Sequence, residues 1–209
     1  MDQRTNRRNA LVSKTIYLEG GGSKEVDIRC REGFGKLLER CGFKGRMPKL
    51  VPSGGRDVAF KDFQTAHACK KASDYVAMLI DSEDPPTDAE APWDHLKQRD
   101  GWEKPIGAKD DQVLLMITCM ETWIIADREV LARHYGEDLQ VTALSSQVDL
   151  ESRDRTFVQE RLARASRNCS NAYLKGKRSF EVLGKLNPDV LEEHLGAFKR
   201  MRRILKKKL

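Results

Sequence analysis

Tyr75-Val76-Ala77-Met78-Leu79-Ile80-Asp81-Ser82-Glu83-Asp84-Pro85-Pro86 runs six apolar residues straight into three carboxylates. A short, continuous apolar run bounded by turn residues is the pattern of a strand covered on both faces, as in a parallel sheet. Ser13-Lys14-Thr15-Ile16-Tyr17-Leu18, ending in Glu19-Gly20-Gly21-Gly22, repeats the plan earlier in the chain. In open parallel sheets, ligands bind beyond the carboxyl ends of the strands. Two acidic tips placed there converge on one spot and repel each other unless a cation lies between them. Mg2+ is typically held by one or two carboxylates together with waters and substrate phosphates. The first expectation is therefore a divalent-metal site for phosphodiester chemistry.

Working outward from these two strands, residues 13 to about 135 alternate strand and helix. Val26, Cys30, Phe34, Leu37 and Cys41 recur at helical spacing after Glu19, and Gly42 and Gly45 stop that helix. Lys49-Leu50-Val51 is a second short strand, and a helix from about Asp57 to Lys71 leads into the run at 74–80. The segment 85–109 reads as a long loop around one short helix near Trp93 to Arg99. A last strand, Gln112 to Ile117, precedes a helix expected to run unbroken from about Met120 to Tyr135. This order predicts an α/β fold, a mostly parallel, Rossmann-like sheet flanked by helices with right-handed crossovers. The expected organisation is a basic N-terminal arm over 1–12, an α/β core over 13–136, and a helical, basic C-terminal portion over 137–209.

Composition narrows the function. Charged residues make up 33% of the 209 residues, and no apolar run approaches the roughly 20 residues of a membrane span. The N-terminus has no secretory pattern, so a cytoplasmic protein is expected. The five cysteines are scattered without a CxxC pair, which argues against a zinc site or a disulfide framework. Several fall at apolar helix positions and read as buried free thiols. The net charge is +6, with seven positive residues among the last eleven and Arg4, Arg7 and Arg8 at the other end. Such ends suit phosphate-backbone contacts, or equally a solvated tail. There is no P-loop Gly-Lys-Ser/Thr, Gly20-Gly21-Gly22 does not continue as GxGxxG, and the four histidines have no metal-ligand spacing.

The residues expected to carry chemistry follow from placement. Glu19 sits before a glycine triplet whose backbone N–H groups are open to a phosphate. Asp81 and Glu83, two apart, point to one side of an extended strand end and suit a metal clamp. Glu121 opens the helix after the last strand, near the other acids. Asp127 falls on that helix's apolar face and is either a supporting group behind the site or a structural residue paired with a base. Lys175, Lys177 and Arg178 form a basic turn, and Arg56 follows Ser53-Gly54-Gly55. Each is placed to meet phosphate charge, as are Arg202 and Arg203 near the end of the chain.

Together these stretches resemble the TOPRIM domain of topoisomerases, primases and nucleases of the overcoming-lysogenization-defect type. The resemblance lies in Tyr17-Leu18-Glu19-Gly20, Leu79-Ile80-Asp81-Ser82-Glu83-Asp84, Met120-Glu121-Thr122-Trp123-Ile124-Ile125-Ala126-Asp127 and Tyr173-Leu174-Lys175-Gly176-Lys177. It is nearest to a small bacterial TOPRIM-like family found beside ATPases in phage-defence operons. What it implies is a Mg2+- or Mn2+-dependent nuclease, the effector subunit of an anti-phage system with a partner ATPase. Glu19, Asp81, Glu83 and Glu121 would be metal-binding and catalytic, and Lys175 would face the phosphate. Ser23 stands where related nucleases often carry a second acid, and Glu83 replaces the second Asp of Asp-x-Asp. Both departures fit the alternative, a catalytically inactive nucleic-acid-binding or adaptor subunit. Nucleotidyl transfer of the primase kind is disfavoured, since the chain has no zinc module.

Overall fold

Four parallel strands, β1 (Lys14–Leu18), β2 (Lys49–Pro52), β3 (Tyr75–Asp81) and β4 (Val113–Met116), form one sheet in the order β2-β1-β3-β4. The computed structural model describes residues 12–209, without the Lys177 side chain. The basic arm expected over 1–12, with Arg4, Arg7 and Arg8, therefore lies almost wholly outside the described residues, as does the contact expected of Lys177. Among the described residues nine α-helices flank the sheet: α1 (Lys24–Leu38), α2 (Arg56–Cys69), α3 (Pro92–Asp100), α4 (Met120–Ala126), α5 (Arg128–Tyr135), α6 (Arg155–Ser166), α7 (Lys177–Leu183), α8 (Pro188–His194) and α9 (Gly196–Lys208). The expected Rossmann-like α/β fold is the one observed.

The strand order follows from two crossovers of opposite direction. The chain leaves β1 for β2 on one side through α1, then returns through α2 to place β3 on the other side of β1. Right-handed crossovers in opposite directions put their helices on opposite faces. Side chains alternate accordingly. Ile16, Leu18, Ala77, Leu79, Leu114 and Met116 meet α1 and the helices from α4 onward. Val76, Met78, Ile80, Val113 and Leu115 meet α2 and α3. All seven residues of β3 are buried, as its apolar run predicts. The carboxyl ends of β1 and β3 are thus neighbours at the point where the winding reverses, the usual place for a ligand in such sheets.

Two sequence expectations are refined. The helix expected over 120–135 is broken: α4 ends at Ala126, and Asp127 caps α5, its Oδ1 accepting from the Val130 N–H at 3.1 Å. The segment from 137 onward is helical as expected and shares a core with the sheet. Leu162, Phe180, Leu191 and Phe198 are buried in the same cluster as Leu18 and Leu79. Phe198 meets Trp123 edge-on, ring centroids 5.0 Å apart. No helix of the described residues is long and apolar enough to cross a membrane. All five cysteines are free, four of them buried, and burial pushes the Cys30 and Cys41 thiols up to about 12.

α1 and α7 pack through a glycine. A Cβ on Gly33 would lie 2.5 Å from the Phe180 carbonyl oxygen, whereas one on Gly35 meets nothing within 4 Å. Replacing a helical glycine with alanine ordinarily stabilises by about 0.5–1 kcal/mol, but forced overpacking costs about 1–3 kcal/mol. Gly35→Ala should therefore raise the urea midpoint and Gly33→Ala should lower it. The opposite signs within one helix turn are the check on this packing.

Candidate metal centre

Glu19 follows β1 directly, and its backbone N–H continues the ladder to the Leu79 carbonyl at 2.9 Å. That register sets its side chain beside the end of β3. Glu19 Oε2 accepts from the Asp81 N–H at 3.0 Å, and Asp81 Oδ1 accepts from the Met120 N–H at 2.9 Å. Each carboxylate is thereby held through one oxygen by a backbone donor. No donor among the described residues reaches the other oxygen of either group.

Beyond Asp81 the chain turns sharply. The N–H groups of Ser82 and Glu83 donate to Met116 and Thr118, both at 2.9 Å, and Glu83 adopts a left-handed φ of 70°. That conformation is costly for a residue with a side chain, and it returns the Glu83 carboxylate toward Asp81. One ligand oxygen from each of Glu19, Asp81 and Glu83 lies within 4.8 Å of the others. Around a single Mg2+, with metal–oxygen distances of about 2.1 Å, two ligand oxygens stand at most about 4.2 Å apart. A small contraction would therefore suffice. Three hard oxygen donors of this kind fit Mg2+ or Mn2+ and not a thiophilic metal.

The electrostatics of the acids are set first by burial. Burial, then the charges of Glu19 and Glu121, push the Asp81 carboxyl well above its ordinary value. Glu19 is also raised, by burial first. The Asp81 N–H and the charges of Arg56, Arg155 and Lys175 offset this only in part. A cleft of about 290 Å³ opens onto the pair, lined by Gly20, Glu121, Lys175 and Phe180 among others.

The other expected residues divide. Glu121 and Lys175 reach the cleft. Glu121 lies outside the trio of mutual reach, with Tyr173 Oη 2.6 Å from Oε1 and Gln159 Nε2 3.2 Å from Oε2. Arg56 is held behind Asp81: it donates to the Asp81 carbonyl, pairs with Asp100 at 2.6 Å and stacks over Trp102. Asp127 holds the α4–α5 junction and accepts from the Asn187 N–H at 2.7 Å, so its partners are backbone groups away from the acids. Arg178 donates to the Ala172 carbonyl. Arg202 pairs with Asp189 and Glu192, and Arg203 with Glu90. None of these last three lines the cleft.

The glycine triplet does not form the open anion cradle its composition suggests. The Gly20 N–H donates to the Gly54 carbonyl, and the Gly22 N–H to the Asp27 carboxylate. What the triplet provides is close packing. Gly20 (φ 130°) lies where a Cβ would meet the Phe180 ring at 3.0 Å.

Sequence reasoning missed Arg155, the first residue of α6, which forms an ion pair with Glu83. Arg99 from α3 lies 3.7 Å from the same carboxylate. Cations are disfavoured at helix N-termini, yet α2 and α6 both begin with arginine. Both arginines act on the acidic tips, but α5 also begins with an arginine, Arg128, which donates to the Ser145 carbonyl instead, so a cation at a helix start does not by itself mark the site.

A family model matches this chain over residues 19–206, and its description is "Domain of unknown function (DUF4276)". The chain belongs to the DUF4276 family. No curated protein and no solved structure matches it. The matched span starts at Glu19 and takes in Asp81, Glu83, Glu121, Arg155 and Lys175. The whole cleft thus belongs to the DUF4276 domain.

The raised carboxyls make a prediction about pH. Each holds its proton to higher pH in the folded chain than in the unfolded one, where the ordinary values are 3.8 for Asp81 and 4.5 for Glu19. The metal-free protein should therefore lose stability as pH rises from those values through the raised ones. Added Mn2+ should reverse this slope, because only the deprotonated acids bind it. Asp81→Asn, which keeps the acceptor for the Met120 N–H, should raise the metal-free melting temperature above neutrality and flatten its pH dependence. Thermal scans with chelator and with Mn2+ read both effects.

Proposed function

We propose that this protein is a Mg2+- or Mn2+-dependent nuclease that hydrolyses phosphodiesters of DNA or RNA. Its metal ligands in this reading are Glu19, Asp81 and Glu83. The observation that carries it is the convergence of these three carboxylates, from two adjacent strand ends, at a cleft that also holds Lys175. The bound ion would polarise a phosphoryl oxygen and lower the pKa of an attacking water.

The chain's own residues supply the rest. The Asp81 and Met120 N–H groups fix the orientation of Glu19 and Asp81, so their second oxygens need no search for a binding geometry. Lys175 offsets negative charge growing on the phosphorus. Arg155 holds Glu83 in place. Arg161, Arg164 and Arg167 form a separate basic strip along and just beyond α6, on the side of the helix away from Arg155, suited to a phosphate backbone without reading its sequence. The TOPRIM likeness extends the proposal to an effector subunit of a bacterial anti-phage system, with a partner ATPase as the source of its specificity.

The Arg155–Glu83 ion pair favours a second reading. In a non-hydrolytic adaptor, a guanidinium would answer the acids where the nuclease uses a metal. Calorimetric titration with Mn2+, run beside cleavage of plasmid and bulk tRNA, separates the two. Asp81→Ala should abolish both binding and cleavage. Lys175→Ala should keep the binding and lower the cleavage rate roughly hundredfold. Undiminished cleavage by Asp81→Ala would sink the site assignment, and a wild type that binds no Mn2+ would favour the adaptor.

A further inference from the structure

Glu121 is the second residue of α4, directly after the Met120 whose N–H holds Asp81, and it is 1% exposed. A carboxylate that serves a hard cation turns at least one oxygen toward the ion. Both oxygens of Glu121 are instead given to protein donors, the Tyr173 hydroxyl at 2.6 Å and the Gln159 amide at 3.2 Å. Those donors come from the two segments that bring positive charge to the acids. Gln159 lies on α6, one turn after Arg155, and Tyr173 lies two residues before Lys175.

Residues 172–176 between α6 and α7 have no regular structure. Their backbone is pinned to the flanking helices. The Tyr173 N–H donates to Ser166 Oγ at 2.9 Å, Ser179 Oγ donates to the Leu174 carbonyl at 3.3 Å, and Arg178 donates to the Ala172 carbonyl at 2.9 Å. The Tyr173–Glu121 bond is different, because it joins this segment to the end of the sheet. A continuous chain of contacts results: Asp81 to the Met120 N–H, Glu121 to Tyr173, and two residues on, Lys175.

We propose that Glu121 and Tyr173 form a tie that positions Lys175 over the Glu19–Asp81 pair, and that Glu121 is not a metal ligand. This rests on reading the cleft as the nuclease site, and it makes Glu121 a positioning residue for the lysine. Tyr173→Phe removes a single hydroxyl and tests the tie. Trypsin cleavage after Lys175, mapped by mass spectrometry, should accelerate roughly tenfold, the scale of one lost hydrogen bond to a charged group. Trypsin cleavage at sites remote from residues 172–176 should keep its wild-type rate, which a general loosening of the fold would not allow. Glu121→Gln should titrate Mn2+ with wild-type affinity, while Asp81→Ala loses it. Loss of Mn2+ binding in Glu121→Gln would make Glu121 a ligand and overturn the proposal, and so would unchanged trypsin cleavage in Tyr173→Phe. A wild type that binds no Mn2+ sinks the nuclease reading alone, since the proteolysis still decides whether the tie exists.

Discussion

Two like charges side by side in a buried strand end are the constraint from which the rest of this molecule follows. Asp81 donates its N–H to Glu19 and accepts the Met120 N–H, so one residue ties β1, β3 and the start of α4 together. Those bonds hold one oxygen of each carboxylate against the backbone at the base of the cleft. Removing an ion from water costs several kcal/mol even after relaxation, so positive charge has to come to the acids. It arrives as Arg56 at the start of α2, Arg155 at the start of α6, and Lys175 in the turn before α7. All three act on Glu19.

The two faces of the sheet are covered unequally. α2 and α3 suffice for one face, with Phe60, Phe63 and Trp93 as their main contribution. The other face carries α1 and then the helices from α4 onward, which extend the core past β3 and β4. The 137–209 segment is therefore both the second wall of the core and the second wall of the cleft. Phe180 joins the two roles: its ring lies against Gly20 beside the acids, and its carbonyl against Gly33 of α1.

Much of this was legible in the sequence, where local pattern decides. The apolar run at 75–80 and the acidic tips gave the sheet type and placed Glu19, Asp81 and Glu83 at one end. Pairings between distant parts of the chain were not legible. Tyr173 and Glu121 are 52 residues apart, and neither side chain announces the other. The break at Asp127 was missed because the apolar face runs on through it, though an Asp three residues before Val130 is an ordinary helix-cap pattern. Arg155 was lost among the arginines of α6, since periodicity cannot say which of them turns toward an acid 72 positions earlier. The glycine triplet misled for the opposite reason: its composition is open to an anion, but Gly54 and Asp27 take two of its three donors, the N–H groups of Gly20 and Gly22.

The division of the cleft between the two ends of the chain also bears on the order in which a ribosome makes it. Proteins emerge amino end first and fold as they emerge. A nascent chain that has emerged only through α5 holds Glu19, Asp81, Glu83 and Glu121 but neither Arg155 nor Lys175. At that stage the acids have no counter-charge from the C-terminal helices and no Phe180 above Gly20. The cleft is completed only by residues translated after α5, so a chain halted there carries the acidic half of the site without its C-terminal basic half.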